Sequence, residues 1–325
     1  TVVHVTHDRH HRGAGHSVGV LRGGFFFGER LGIVQGRIGS RPRRLAHGVF
    51  STLVKREVCL PAVPTLPGPV QDRWGERALA VASGLVVPPP LDLSLRDHGA
   101  TAEWVERLGG TSLMPGHVRL ARGTAVEHLA GFKDGAWWVQ DLAASLPARL
   151  LGSGNGRQVL DLCAAPGGKT MQLAAAGWAV TALDAGAKRL QRMQENLNRT
   201  GLAATLVQAD ALQWEPEAQF DAVLLDAPCT ATGTCRRHPD VLHRIGPRQI
   251  AELAELQAGL LERAQRWVKP GGQLVYATCS LEREEGEDQA TWFAEQHPDA
   301  VRLDAPGQLL PGELNDGFYY ALFKK

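Results

Sequence analysis

In the second half of the chain, short apolar runs and helical periods take turns. From Arg157, "RQVLDLCAAPGGKTMQLAAAG" reads as strand, glycine loop and helix. "WAVTALDAGAKRLQRMQENLNRTG" follows as strand, acidic tip and a helix closed by Gly201. "ATLVQADALQW" and "FDAVLLDAPC" are further strands with acids at their C-terminal tips. "PRQIAELAELQAGLLERAQRWVKPGG" has the period of a long amphipathic helix, and "QLVYATCS" is one more strand. This alternation predicts an α/β fold, a doubly wound, mostly parallel Rossmann-like sheet. Ligands of such sheets bind beyond the C-terminal strand ends, where the glycine loop, the acidic tips and Cys229 and Cys279 all fall.

Upstream the pattern is shorter. Residues 69–85, "PVQDRWGERALAVASGL", fit one short amphipathic helix ended by Gly84. After "VVPPP", Leu91, Leu93 and Leu95 alternate as in a strand; "TAEWVERLGG" fits a helix and "HVRLARG" a second strand. A small αβ domain is therefore expected over residues 69–135. "GAWWVQDLAASLPARLLG" leads on as strand, turn and helix into a larger domain over residues 136–325. The first sixty residues show no clear period, and residues 1–68 are taken as a poorly readable, loosely structured N-terminal region. The four histidines of "HVTHDRHH", with no Cys and one acid nearby, fit a solvated basic tail better than a metal cluster.

Charge sharpens this division. Residues 1–60 carry ten Lys and Arg against three Asp and Glu, or +7; the rest carries twenty-five against thirty-one, or −6. A basic start on a mildly acidic body suits a polyanionic partner. No apolar run spans a bilayer and no secretory signal opens the chain, so a cytoplasmic protein without membrane contact is expected. Five unclustered cysteines, an odd number with no CxxC pair, argue against a disulfide framework and a structural zinc site. No metal is expected, and the protein is taken as a monomer.

"LDLCAAPGGKT" carries candidate chemistry but matches neither standard phosphate-loop fingerprint: it lacks GxGxxG, and no glycine stands five residues before Gly168. Gly167 and Gly168 still let a ligand approach the backbone at a helix N-terminus; the alternative is a plain tight turn. Asp184 ends a strand some twenty residues later and suits ribose hydroxyls, and Asp210 could meet an adenine edge. Either alone could be a helix cap. Together they describe a nucleoside pocket without a phosphate clamp, which points to S-adenosylmethionine.

"DLCAAPGGKT", "DAPCTATGTCRRHPD", "YATCS" and the terminal "DGFYYALFKK" resemble the RNA (cytosine-5) methyltransferases of the RsmB/Sun type. "WWVQDLAAS" is similar to that family's lead-in to its catalytic domain. The resemblance covers residues 88–325. It implies a cofactor pocket built from Cys163, Ala164, Ala165, Pro166, Gly167, Gly168 and Lys169, with Asp184, Asp210 and Asp226. The implied substrate is ribosomal RNA, most specifically of the small subunit, and the small αβ domain becomes one of RNA-binding type. Family members usually carry a helical RNA-binding domain at the N-terminus, and residues 1–60 do not read as one. Transfer RNA is the alternative substrate, and a catalytically silent assembly factor the alternative function.

The chemistry gives separate reasons for these residue types. Carbon 5 of cytosine becomes nucleophilic once a thiolate has added to carbon 6, and an acid at ring nitrogen 3 balances the charge that develops. Asp226 suits the acid. A Pro-Cys motif, as in enzymes acting on DNA, nominates Cys229 as the attacking thiol. The resemblance instead implies Cys279, of the Thr-Cys motif, with Cys229 resolving the adduct. Lys169 is expected to hold the methionine carboxylate or the loop itself. Arg236, Arg237 and His238 are expected at the pocket mouth, suited to RNA phosphates, with a solvated charged loop as the alternative. The acidic run "EREEGED" is expected only to open a helix.

Overall fold

The structure is a computed structural model that describes residues 40–56 and 61–325. The histidine-rich start and Cys59 lie outside the described residues. Residues Leu66–Lys325 form one compact unit, and the described residues before Leu66 belong to a second. In the latter, α1 (Ser40–Lys55) corrects the expectation of a segment without period. Leu45, Val49 and Leu53 follow at helical spacing, which the glycines and arginines around them had obscured.

The larger unit opens with α2 (Gly68–Trp74) and α3 (Arg77–Gly84) rather than one helix. The break falls at Gly75, whose left-handed φ of 53° ends the first helix. Then come β1 (Leu91–Leu95), α4 (Thr101–Leu108), β2 (His117–Leu120) and β3 (Trp137–Val139). The three strands form an antiparallel sheet in the order β2-β1-β3. Its third strand lies past residue 135, so the expected boundary there is moved, and this sheet belongs to the same compact unit as the rest. The alternating Leu93 and Leu95 pack with Trp104, Val118 and Trp137. The opposite face of β1 is buried as well. Asp92 accepts hydrogen bonds from Arg119 Nε at 2.7 Å and from the Leu142 amide at 3.2 Å. Burial works against this carboxylate, but Arg119 and His117 outweigh it and hold it down at about 2.

The second sheet is entered through α5 (Leu142–Leu150). It is built from β4 (Gln158–Leu162), α6 (Gly168–Ala175), β5 (Ala179–Asp184), α7 (Ala187–Thr200), β6 (Thr205–Gln208), β7 (Phe220–Asp226), α8 (Val241–Arg244), α9 (Pro247–Trp267), β8 (Val268–Thr278), α10 (Glu287–Gln296), β9 (Val301–Leu309) and β10 (Phe318–Lys324). The strand order is β6-β5-β4-β7-β8-β10-β9. The strands from β6 to β8 run parallel, and β10 and β9 close one edge antiparallel, so the expected α/β sheet is present. Apolar side chains of α9 and α10, including Leu260, Trp267 and Phe293, cover one face. Met171 of α6 and Leu190 and Met193 of α7 cover the other. The chain leaves β4 towards β5 on one side and resumes on its other side with β7. That reversal opens a crevice at the C-terminal ends of β4 and β7.

The small sheet is seated on α7 by close backbone packing. Arg199 Nη1 donates to the carbonyls of Phe132 and Trp137, and Arg96 Nη1 donates to Thr200 O. Gly135, at φ 65°, lies so near that a Cβ would stand 1.9 Å from Arg199 O. Gly135→Ala is expected to lower stability by about 1–3 kcal/mol from the backbone conformation alone, and by more through this collision. Thermal melts beside an exposed glycine control such as Gly123→Ala, where φ is also positive but a Cβ would meet nothing, separate the two effects.

Candidate active site

The loop after β4 turns sharply: Cys163 has φ 58° and Gly167 φ 102°. Its amides are tied to the neighbouring strand, Ala164 N to Leu183 O at 3.1 Å and Ala165 N to Asp184 Oδ2 at 3.2 Å. Asp184 is buried at the tip of β5, where Oδ1 accepts from Gly186 N at 2.7 Å and pairs with Arg189, itself largely exposed. Asp210 stands two residues past β6, exposed, and accepts from Leu212 N in a turn. Below the loop, Thr170 Oγ1 donates to buried Asp161. Burial raises the Asp161 carboxyl to about 7, against the pull of Thr170 and Lys169.

Lys169 joins this loop to the next strand. Its Nζ reaches Asp226 Oδ2, at the tip of β7, at 2.7 Å. Burial opposes its charge, but Asp226 outweighs burial and the ammonium is held above its ordinary range. Lys169 thus ties the loop to the tip of β7. Its contact with Asp226 leaves no cation of the glycine loop facing a phosphate. A carboxylate at a strand tip, a positive-φ loop at a helix start and no phosphate clamp fit a nucleoside methyl donor.

Cys229 and Cys279 come together, with sulfurs 3.4 Å apart and both half-buried. Parallel pairing of β7 with β8 sets Asp226 beside Ala277, so the residues just past these tips are neighbours. The loops then approach backbone to backbone. Gly233 N donates to Cys279 O at 2.9 Å, and a Cβ on Gly233 would lie 2.2 Å from Gly317 O. The Cys229 thiol is pushed well up, first by its hydrogen bond with Cys279 and then by burial. Burial likewise pushes the Cys163 and Cys235 thiols to about 12, which keeps both neutral. Among the described residues no cluster of His, Cys, Asp and Glu is arranged to hold a metal, and no helix is long and apolar enough to cross a membrane.

Two arginines are placed otherwise than expected. Arg236 is fully buried: Nε donates to Asp316 Oδ1 at 3.0 Å, and Nη1 donates to Gly312 O. Arg237 donates to Asp316 and to Asp141, each at 2.6 Å. These side chains lock the cysteine loop to the start of α5 and to the segment before β10, so Arg236 is corrected from a phosphate contact to an internal tie. Only His238 of the three is exposed. The acidic run also divides. Glu287 and Asp288 do open α10, but Glu282 and Glu285 are buried. Glu282 takes two hydrogen bonds from Arg73 of α2, at 3.1 and 3.2 Å. Sequence reasoning missed both, because the backbone is extended at Glu282 and broken at Gly286, so no helical period runs through them.

Arg236→Ala is expected to cost about 3–5 kcal/mol, because it removes one of the two guanidiniums paired with buried Asp316 and leaves Oδ1 without its donor; denaturant melts of the two proteins give the difference. Asp161 offers a pH test. Folding raises its pKa from 3.8 to about 7, so its contribution to stability is complete below the lower value and is lost as pH rises to the upper. The slope is at most about 1.4 kcal/mol per pH unit. Asp161→Asn should flatten the curve across that window, read by melts at a series of pH values.

Residues 148–324, more than half of the chain, match the family model described as 16S rRNA methyltransferase RsmB/F. The chain is 44% identical over 258 residues to ribosomal RNA small subunit methyltransferase B of Salmonella paratyphi B. That match takes in 73% of this chain and 60% of the relative, so the chain spans about three-fifths of the length of the curated relatives it matches. The crystal structure of PH0851 superposes with a TM-score of 0.74 at 26% identity, over 88% of this chain and 74% of that one. That of a methyltransferase homologue from Pyrococcus horikoshii does so with 0.69 at 27%, over 79% and 93%. The family expected from the sequence motifs is therefore the right one: this chain belongs to the 16S rRNA methyltransferase RsmB/F family.

Proposed function

We propose that the protein methylates carbon 5 of a cytosine in small-subunit ribosomal RNA, with S-adenosylmethionine as donor. The observation that carries this reading is the thiol pair at 3.4 Å beside the Lys169–Asp226 contact, at the point where the strand order reverses. Family membership and the curated relatives support the RNA substrate.

In this reading residues 163–169 and Asp184 hold the donor, and Asp210 lies at the adenine side. Bound there, the donor supplies a methyl group on a sulfonium, an electrophile for carbon 5. Arg189 has to yield to the ribose hydroxyls, which an exposed side chain at a carboxylate can do. The target base leaves its stack so that both faces are reachable. Cys279, as thiolate, forms a bond to carbon 6, and the ring electrons move towards nitrogen 3 and carbon 5. Asp226, held by Lys169, acts as the acid at nitrogen 3, giving it a proton as the thiolate adds and taking that proton back when the ring is restored. After carbon 5 carries the methyl, its hydrogen leaves as a proton to a base, and the sulfur–carbon 6 bond breaks to restore the ring and the thiolate. Cys229, in contact with Cys279, assists that release. His238 is the exposed group left to meet the RNA backbone from the three first considered.

Labelled S-adenosylmethionine with purified small-subunit ribosomal RNA should give 5-methylcytosine, and transfer RNA should not. Cys279→Ala should lower transfer by about 10³-fold or more and form no covalent complex. Cys229→Ala should accumulate a protein–RNA adduct that survives denaturing gels. An active Cys279→Ala together with an adduct-free Cys229→Ala would exchange the two roles, and well-folded protein without transfer would reject the reading.

A further inference from the structure

Four donors converge on one buried carboxylate between the two thiol-bearing loops, and the chemistry above does not use it. Glu285 has no exposed surface. Its Oε1 accepts from Thr230 N at 2.8 Å and from Gln257 Nε2 at 3.0 Å. Its Oε2 accepts from Ser280 Oγ at 2.6 Å and from Thr230 Oγ1. Thr230 follows Cys229 and Ser280 follows Cys279, so each thiol stands one residue from a group bound to the same acid.

The anchor is itself held. Tyr276 OH donates to the Glu285 carbonyl at 2.7 Å, and Gln257 Nε2 also donates to Pro228 O at 2.8 Å. Thr232 Oγ1 accepts from Leu281 N at 2.9 Å and lies 3.3 Å from Ser280 Oγ, a second stitch between the loops. A carboxylate has acceptor sites for all four donors, whereas an amide accepts through one oxygen only. Burial pushes the Glu285 carboxyl up, and the hydrogen bonds from Ser280, Thr230 and Gln257 oppose that shift; burial also makes each of these hydrogen bonds costly to leave unmade.

We propose that Glu285 is a positioning residue whose carboxylate is the common anchor of the two loops, holding Cys229 and Cys279 in contact as a working pair. What the pair does rests on the proposed function; that it is anchored does not.

The test separates anchoring from activity. Dibromobimane, which bridges only thiols already close together, is applied to the full chain and the Cys229–Cys279 link is read by peptide mass mapping. Wild type should bridge readily. Glu285→Ala should slow bridging by about tenfold or more and lower kcat for methyl transfer by about 10²-fold, with little change in KM for RNA. Glu285→Gln, of the same shape, should fall between, and Glu284→Gln, an exposed neighbour, should match wild type. If Glu285→Ala does not fold, Glu285→Gln and Ser280→Ala carry the same comparison. A folded Glu285 variant that bridges at the wild-type rate, or bridges slowly yet methylates normally, overturns the proposal. Slowed bridging in a protein whose wild type methylates no RNA leaves the anchor standing and removes the proposed function instead.

Discussion

One charged contact, Lys169 to Asp226 at 2.7 Å, spans the crevice where the strand order reverses. Lys169 begins the helix that follows β4, and Asp226 ends β7, so the pair joins the two halves of the sheet across their shared ligand side. Either group buried alone would be costly; together they are each other's condition for being there. The contact also decides what the loop cannot do. A glycine loop whose lysine is turned towards an internal acid is no phosphate clamp, so the spacing that departs from both nucleotide fingerprints has a charge-level reason. What remains facing the crevice are carboxylates and thiols, groups suited to hydroxyls and ring carbons.

The thiol pair has a different origin, in strand geometry. Cys229 and Cys279 are fifty residues apart in sequence, yet parallel neighbours lie about 4.8 Å apart and bring equal positions past their tips together. Two thiols therefore meet without a disulfide framework or a metal to draw them in. Contact at 3.4 Å still needs the loops to stay put, and loops beyond strand ends carry no ladder of their own. Backbone approach at Gly233 and the buried hydrogen bonds around Glu285 supply that constraint.

How much of this is legible in sequence follows from which forces are local. Parallel strands buried on both faces write themselves as apolar runs such as "VLDL" and "AVLL", and the helices between them keep their period, so the sheet from β4 to β8 can be read directly. β9 is harder: "VRLDAPGQL" sits half-buried at a sheet edge, where the alternation of Val301, Leu303 and Ala305 runs into Pro306 and Gly307, and β10 pairs with it across that break. The break at Gly75 rests on one backbone angle that the sequence does not print, whereas Trp137–Val139, read as a strand, takes its place in the small sheet by pairing with β1. In the site, acids and cysteines at strand tips announce themselves. Glu285 does not, because Arg283, Glu284, Glu287 and Asp288 around it are indeed solvated. Its burial depends on four donors that the sequence scatters from Thr230 to Ser280.

Arg236 and Arg237 show where reading by residue type fails, and the failure bears on substrate binding. "CRRHPD" beside a nucleoside pocket has the composition of a phosphate grip, yet both guanidiniums are engaged with Asp141 and Asp316. Arg is the residue best suited to such bidentate work, whether the carboxylate or the phosphate is the partner, and the fold has claimed it first. Residues 61–325 carry a net charge of −6, so on the proposed function an RNA substrate would meet no general attraction from this part of the chain. Recognition at the crevice then falls to the shape of the pocket and to the ring that fits between thiol and acid. On the proposed function, the electrostatic share of RNA binding would draw on basic groups other than these two arginines; in sequence, residues 1–60 carry +7.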